Sequence, residues 1–261
     1  MKSYAQTIYE TRYFWWHLAR SDLRNRFRRS KLGLLWSMLM PLLLTIIIAT
    51  VFGTIFNMPM GDYMPYILSG LVVWDLVIAS AVGGSNAIMG SEQYIRQVSH
   101  PLIIYTLKGA IVSSVTFLIA VISLVIWVSF INPVNALIGI ATLPITLLVL
   151  LPLSWAIITF AALVNTKYRD YPQITALVVQ ILWFLSPVFF QREMFLTSPA
   201  LTTWFSYNPI AHLLDLVREP FLFGRMPSLQ NYAFSIAFVL FWVLIAVITH
   251  KRMKSNVIFY L

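Results

Sequence analysis

The chain has 261 residues, of which 59% are hydrophobic and only 10% are charged, and its mean hydropathy is +0.80. Soluble globular domains carry about 25% charged residues, so this composition excludes a soluble domain and indicates an integral membrane protein. The net charge is +9, and the sequence has no cysteine, which excludes disulfides, thiol catalysis and thiolate metal ligands.

The first 31 residues are predicted to form an amphipathic helix that lies in the membrane interface. Its largely aromatic stripe recurs at spacings of three and four residues, which is typical of one helix face: Tyr9, Tyr13, Trp16, Arg20, Leu23 and Phe27. Such a helix, with arginines on its polar face, lies on a membrane rather than crossing it. Two interpretations stay open, a lipid anchor or an element that transmits motion from a cytoplasmic partner.

Six segments are long and apolar enough to cross a bilayer, whose hydrocarbon core requires about 20 helical residues. They are predicted at residues 32–56, 64–84, 107–131, 136–164, 174–190 and 232–249, and the fifth is short and stops near Ser186 and Pro187. The predicted fold is therefore all-α, with a six-helix membrane domain at residues 32–261 that follows the interface helix at residues 1–31.

The orientation follows from the basic residues, because cytoplasmic loops of membrane proteins are enriched in Lys and Arg. With the amino terminus inside, fifteen of the eighteen Lys and Arg residues are cytoplasmic, and only Arg192, Arg218 and Arg225 are outside. Arg96 and Lys108 are assigned to the loop between the second and third spans. Both termini are therefore expected in the cytoplasm, and the basic stretch before the first span indicates topology rather than nucleic-acid binding.

Residues 191–231 form the longest stretch outside the predicted spans and are rich in Trp, Phe, Tyr and Leu. A solvated external loop would be polar. Irregular backbone at membrane depth is tolerated only when it is buried in protein or lines an aqueous cavity. We therefore expect two short re-entrant or interfacial helices here, punctuated by Pro209, Pro220 and Gly224, which guard an exit.

The sequence offers little for catalysis. A phosphate-binding loop ends in Gly-Lys, and no glycine of this chain is followed by lysine. We therefore expect ATP hydrolysis in a separate chain and no cofactor or metal in this one. His212, Asp215 and Glu219 follow at helical spacing and could form a metal or acid–base site, but the adjacent Arg218 favours a structural ion pair with Asp215.

Asp75 is the one carboxylate that lies within a predicted span rather than beside one. An acidic side chain is costly at that depth. It could line a hydrated path, bind a cation or be satisfied by neighbouring hydroxyl groups. Because no chain of ionisable partners accompanies it, a proton-coupled carrier is disfavoured. We expect a structural or pore-lining role.

Four stretches, in order along the chain, resemble the permeases of type-2 ABC exporters. They are RNRFRRSKLGLLWSMLMPLL at 24–43, YILSGLVVWDL at 66–76, KYRDYPQITALVVQILWFLSPVFF at 167–190 and YNPIAHLLDLVREPFLFG at 207–224. Within that family the chain most resembles permeases that export lipid-linked O-antigen or capsule polysaccharide, with teichoic-acid exporters close behind. The resemblance implies a bacterial inner-membrane homodimer that binds two separate ATPase subunits, which hold ATP and Mg, and passes a lipid-linked glycan between its protomers.

The resemblance also implies that the loops around residues 90–101 and 165–172 dock on the ATPase, although the first of them matches the family only in part. Expected ATPase contacts come from these loops and the arm: Arg24, Arg28, Glu92, Gln93, Tyr94, Arg96, Lys167, Tyr168, Arg169 and Asp170.

Aromatic rings can contact the C–H faces of successive sugars without fixing one geometry, so an aromatic path would permit sliding. Candidates for path or exit contacts, together with Asp75, are Tyr63, Tyr66, Trp74, Trp183, Phe184, Phe189, Trp204, Phe205 and Tyr207. One alternative is an exporter of small drugs or lipids on the same fold. Another is a membrane glycosyltransferase or acyltransferase that uses His212, Asp215 and Glu219.

Overall fold

The computed structural model describes residues 4–28, 30–97, 100–191, 198–254 and 257–261. The side chain of Phe27 and the whole of Arg192 lie outside the described residues. Every regular element within the described ranges is a helix, and the helices are α1 (Tyr4–Glu10), α2 (Arg12–Phe27), α3 (Trp36–Phe56), α4 (Met60–Ala81), α5 (Glu92–Gln97), α6 (Ile103–Ile131), α7 (Pro133–Lys167), α8 (Tyr171–Phe184), α9 (Pro199–Tyr207), α10 (Pro209–Phe223), α11 (Leu229–Met253) and α12 (Val257–Tyr260).

Five helices are long and apolar enough to cross a membrane, namely α3, α4, α6, α7 and α11 with their adjoining turns. They confirm five of the six predicted segments, although the bounds differ. The third begins at Ile103 rather than at residue 107, so Lys108 lies inside α6 and not in the preceding loop. The fourth extends beyond the prediction at both ends, because Pro133 fits the first turn of α7 and Asn132 caps it by accepting from the Asn135 N–H.

The chain reverses direction from α3 to α4, from α4 to α6 and from α6 to α7, so the bundle has two ends. The arm end is where α2 leads into α3, and the far end is where α3 turns into α4. Helix α4 lies at the centre, since it packs against α3, α6, α7, α8 and α10. Its side chains are accordingly buried from residue 67 to residue 74.

The arm is two helices rather than one, because the chain turns at Thr11. The Trp15 indole N–H donates to the Ile8 carbonyl oxygen at 2.9 Å and holds α1 against α2. Leu18 and Ala19 are buried, and α2 packs along α6. The predicted stripe members Tyr9, Tyr13 and Trp16 are exposed instead, so the aromatic side of the arm faces away from the protein.

An ion pair fixes the arm to the bundle. Lys108, only 4% exposed, places its Nζ 2.8 Å from the Asp22 carboxylate of α2. A buried ammonium group is strongly destabilising when it has no partner, so this contact allows α6 to carry a lysine there. The sequence count treated Lys108 as a cytoplasmic loop charge, and the structure corrects that assignment.

The fifth predicted segment is only partly helical. Helix α8 has 14 residues, a length of about 21 Å, which is short of the roughly 30 Å hydrocarbon core. It ends at Phe184, and residues 185–190, here called the break segment, follow as turns and bends. The prediction of a helix to residue 190 is therefore wrong for this part, and the helix stops at the Ser-Pro pair that the sequence singled out.

All six carbonyl groups of the break segment accept hydrogen bonds. The Trp204 indole N–H (2.8 Å) and the Asn208 amide (3.2 Å) donate to Leu185, and the Val188 N–H donates to Ser186. Other helices supply the rest: the Arg218 guanidinium donates to Pro187 and Val188 at 2.6 Å each, the Tyr63 hydroxyl to Phe189 at 3.0 Å and the Tyr66 hydroxyl to Phe190 at 2.9 Å. The carbonyl groups of this irregular backbone thereby have protein donors.

Helices α9 and α10 lie between the break segment and α11, where the sequence predicted two short helices. Asn208 separates them, and its side-chain oxygen accepts from the Ile210 N–H and caps α10. Helix α10 is buried along nearly its whole length. Its Arg218 is only 2% exposed and lies over the Tyr66 ring, with the guanidinium carbon 3.8 Å from the ring centroid.

Replacing Gly70 tests whether this close packing stabilises the fold. A Cβ atom at Gly70 would lie 2.3 Å from the Val188 carbonyl oxygen and 2.6 Å from an Arg218 guanidinium nitrogen. We expect Gly70→Ala to destabilise the protein by about 1–3 kcal/mol, as overpacking does, and to lower its melting temperature in detergent. Gly61→Ala is the matched control, because a Cβ there meets nothing within 4 Å. Equal melting of the two variants would contradict this account of the break segment.

Candidate functional site

Six of the ten predicted path residues meet at the break segment. Trp183 and Phe184 end α8, and Phe189 belongs to the segment itself. Tyr63, Tyr66 and Trp204 donate hydrogen bonds to its carbonyl oxygens. The sequence analysis selected these residues separately, as aromatic candidates for path or exit contacts, and the structure brings them to one place near the far end.

Tilted aromatic rings surround Phe189. Its ring centroid lies 3.9 Å from that of Phe190, 4.9 Å from that of Trp183 and 5.3 Å from that of Phe52 on α3. Phe189 is 1% exposed, whereas Phe184 is 55% exposed. The cluster therefore has a packed interior and an aromatic outer surface that a passing molecule could contact.

The other four predicted path residues lie elsewhere. Trp74 is buried in the core of the bundle, and Phe205 is buried in α9. Tyr207 is exposed at the end of α9, with its ring centroid 6.3 Å from that of Phe234. Asp75 is exposed on α4, one residue beyond the fully buried run.

Asp75 lines a cavity of about 370 Å³ between α3, α4 and α6, together with Trp36, Ser37, Ser113 and Thr116. A second cavity, of about 400 Å³, contains the Asp22 and Lys108 pair, and both cavities are lined by Ala79, Gly83 and Ser113. The pore-lining role expected for Asp75 stays a prediction. The shared lining residues place its cavity near the ion pair that fixes the arm.

Of the predicted ATPase contacts in the second-to-third loop, Tyr94 touches the arm. Phe14 of α2 packs on His100, with ring centroids 4.7 Å apart, and on the edge of Tyr94 at 6.5 Å. Glu92 and Arg96 pair along α5 at 2.8 Å. Gln93, Tyr94 and Arg96 are exposed, so a protein that binds α5 would also press on the start of α2.

The fourth-to-fifth loop reaches both the preceding loop and the carboxyl terminus. One Arg169 nitrogen contacts the Met89 sulfur at 2.8 Å, and the other donates to the Tyr260 carbonyl oxygen at 2.7 Å. Val257 of the tail is buried in a small apolar cluster with Ile88, Ala162 and Leu163. Lys167, Tyr168, Arg169 and Asp170 are exposed. We call residues 92–97, 167–170 and 259–260 the arm-end face.

Arg24 and Arg28 are exposed on the last turns of α2. They follow Phe14 by ten and fourteen residues, a separation of about 15–21 Å along a helix. They therefore lie toward α3, away from the aromatic contact with Tyr94. The structure joins the arm to the arm-end face through Phe14, which sequence reasoning did not select because it falls outside the regular stripe.

The residues His212, Asp215 and Glu219 have separate surroundings. The two ring nitrogens of His212 lie 2.7 Å from the Asn231 side-chain oxygen and 3.0 Å from the Ser206 carbonyl oxygen. Glu219 pairs with Arg225. Within the described residues, no group of three or more His, Asp or Glu side chains is placed to hold a metal ion. The ion pair of Arg218 with Asp215 stays a prediction, whereas Arg218 donates hydrogen bonds to the break segment, Tyr66 and Ser69.

Arg218 is another residue whose role the sequence reasoning missed. An arginine within the apolar run IAHLLDLVREPFLF is costly unless its five donors find acceptors. The Ser-Pro pair that ends α8 frees carbonyl groups in the same predicted membrane region. The two signals together could have suggested the pairing, but the acidic neighbours at helical spacing indicated a local partner instead.

The chain matches the ABC-2 type transporter family over residues 13–222. It is 21% identical to an O-antigen export system permease protein RfbA of Klebsiella pneumoniae over 80% of each chain, and 20% identical to RfbA of Myxococcus xanthus over 94% of this chain and 95% of that one. It is 22% identical to the polysialic acid transport protein KpsM of Escherichia coli over 90% and 91%. With five apolar helices, a buried break segment and a family match over most of its length, the chain is a multi-pass membrane protein and belongs to the ABC-2 type transporter family.

Proposed function

We propose that this chain is the membrane permease of an ATP-driven exporter that moves lipid-linked polysaccharide, O-antigen or capsule, outward across the bacterial inner membrane. The observation that carries the proposal is the similarity to two export permeases for O-antigen and to a polysialic acid transport protein over four fifths or more of each chain. Catalysis is assigned to a separate ATPase, because the sequence lacks a phosphate-binding loop.

The arm-end face suits the binding of such an ATPase. It combines exposed charged and aromatic side chains from two loops and the tail, and Phe14 joins it to α2. A movement of the ATPase would therefore reach the arm through Tyr94 and His100. It would reach α6 through the Asp22 and Lys108 pair. This supports the second interpretation of the arm, in which it transmits motion as well as contacting lipid.

The proposed topology places the arm end in the cytoplasm, with both termini inside and the far end outside. The exposed ring surfaces of Tyr9, Tyr13 and Trp16 then face the lipid headgroups, as expected for an interfacial helix. Helix α8 and the break segment together complete a sixth crossing. The break is tolerated there because α4, α9 and α10 satisfy its carbonyl groups.

The proposed transporter is a homodimer whose protomers meet along α3 and α8. Both helices expose apolar side chains, such as Ile47 on α3 and Leu177 on α8. A path between the protomers would pass α8 and the exposed Phe184 at its end. Closure of two ATPase subunits would move the loops and the arm, and the α3 and α8 helices of the two protomers would separate to pass the glycan.

The alternative cargoes for an exporter with this fold are teichoic acid, a small drug or a lipid. A membrane glycosyltransferase or acyltransferase is the alternative from another class. It is disfavoured because His212 and Glu219 contact structural partners, Asn231 and Arg225. Replacing His212, Asp215 and Glu219 with Ala would abolish product formation by an enzyme while leaving its assembly with an ATPase unchanged.

Deleting the gene for this chain tests the proposed cargo. We expect the deletion strain to lose its surface polysaccharide and to accumulate lipid-linked glycan inside the cell, because synthesis continues without export. Immunoblotting of surface glycan and analysis of extracted lipid-linked glycan measure the two quantities. A plasmid copy of the gene is the control and should restore both. Normal surface polysaccharide together with altered drug sensitivity would contradict the proposal.

Cross-linking tests the proposed dimer, and the absence of native cysteines means that each introduced cysteine reacts alone. We expect Leu177→Cys on α8 to give a disulfide-linked dimer in native membranes. We expect the yield to fall when the ATPase is trapped with a non-hydrolysable nucleotide, because the helices then separate. Leu148→Cys on α7 is the matched control, since Leu148 is apolar and at least as exposed. Equal cross-linking of both variants, or a yield that ignores nucleotide, would refute the interface.

A further inference from the structure

A cavity at the far end is lined by polar and aromatic side chains that the proposed path does not use. It encloses about 290 Å³ between the start of α4, the turn from α6 to α7, the residue after the break segment and the end of α10. Of the predicted path residues, only Tyr66 lines it. Small-molecule sites measure roughly 300–1,000 Å³, so this cavity lies at the small end of that range and suits a single compact unit.

The polar groups at this cavity are available for a ligand. Asp62, in the first turn of α4, and Gln191 both line it. Within the described part of the chain, neither the Asp62 carboxylate nor the Gln191 amide has a hydrogen-bond partner. Asn132 lines the cavity too, and its side-chain oxygen caps α7 by accepting from the Asn135 N–H, which leaves its amide hydrogens as donors. The cavity therefore offers a carboxylate acceptor and two amide groups.

An aromatic ring stands at the same cavity. Phe223 is the last residue of α10, lines the cavity and is 59% exposed. The backbone at this end of α10 is held in place, because Gly224 ends the helix in the left-handed conformation (φ 62°) and the Asn135 amide donates to the Leu222 carbonyl oxygen at 2.9 Å. The Arg225 guanidinium carbon lies 5.3 Å from the centroid of the Phe223 ring. A large apolar ring held beside hydrophilic groups provides a surface for one face of a ligand.

We infer that this cavity binds a neutral sugar unit of the exported glycan after it leaves the path. A sugar ring presents vicinal hydroxyl groups at its edge, which a carboxylate and amides can bind as acceptor and donors. It also presents a C–H face that packs on an aromatic ring. The Asp62 carboxylate would disfavour an acidic sugar, and the nearby Arg225 is already paired with Glu219, so the cavity favours a neutral sugar over an anionic one.

This inference rests on the proposed export of polysaccharide and adds a binding site to it. The site lies beside the break segment, because Gln191 directly follows Phe190, and Tyr66 binds the Phe190 carbonyl oxygen while lining the cavity. A sugar held there would sit next to the exit cluster. Reversible binding of one unit at a time would disfavour backward sliding of the chain without stopping its outward movement.

Binding of simple glycosides to the purified, detergent-solubilised protein tests the site. Saturation-transfer difference NMR would compare methyl α-mannoside and methyl β-galactoside, both neutral, with the methyl glycoside of N-acetylneuraminic acid, which is anionic. We expect millimolar binding of at least one neutral glycoside and no binding of the anionic one. Asp62→Asn and Phe223→Ala should each weaken neutral binding about tenfold, as expected for the loss of a charge-assisted hydrogen bond or of a ring contact.

Phe130→Ala is the matched control, because Phe130 is 87% exposed near the end of α6 and does not line the cavity. Its binding should equal that of the unmodified protein. Three results would overturn the inference: no neutral glycoside binds, the anionic glycoside binds as well as the neutral ones, or the Asp62 and Phe223 variants bind like the control.

The deletion strain distinguishes a failure of the proposed export function from a failure of the proposed sugar site. If the strain retains its surface polysaccharide, the export function fails whatever the cavity binds. If the strain loses it while Asp62→Asn and Phe223→Ala proteins bind glycosides normally, export stands and the sugar site is refuted.

Discussion

Backbone carbonyl groups buried away from water must be hydrogen-bonded, and the arrangement of the far end follows from meeting this requirement at the break segment. The six carbonyl groups from Leu185 to Phe190 lie outside a helix, and side chains of three other helices donate hydrogen bonds to them. Arg218 of α10 supplies the charged donors, Tyr63 and Tyr66 of α4 supply hydroxyl groups, and Trp204 of α9 supplies an indole N–H. These hydrogen bonds hold the break segment in place next to the proposed path, and aromatic rings pack around its Phe189.

At the arm end, a buried charged group likewise requires a partner from another helix. Lys108 is buried within an apolar helix and is compensated by Asp22 of the arm, and this ion pair fixes the arm to α6 in addition to the packing of α2 along α6. Phe14 brings the arm against Tyr94 and His100, and Arg169 ties the second loop to the tail. Two loops, the tail and the arm therefore form one connected surface. A force applied there would reach α6 through the ion pair, and α4 lies between α6 and the break segment.

Much of this fold could be predicted from the sequence, because apolar runs of about 20 residues have few other solutions. Five spans, the helical arm, the two short helices before α11 and the stop at Ser186 and Pro187 follow from local patterns. The sequence could not give the partners of Lys108 and Arg218, since each lies more than thirty residues from at least one group that it contacts. The sequence analysis also assigned Lys108 to a loop, because a lysine can be buried there only when Asp22 pairs with it, and that pairing depends on the fold. The aromatic residues of the candidate path were found by composition and position, but their meeting at the break segment depends on the packing of α4, α8 and α9.

The proposed function is ATP-driven outward transfer of a lipid-linked glycan through this chain. Inverted inner-membrane vesicles that contain the chain, its ATPase and a radiolabelled lipid-linked glycan on the outer face test it directly, because export then becomes transfer into the lumen. The account predicts that ATP makes the glycan resistant to an added glycosidase, and that neither a non-hydrolysable analogue nor vesicles without this chain give protection. Protection that is independent of ATP or of this chain, or no protection with both present, would contradict it.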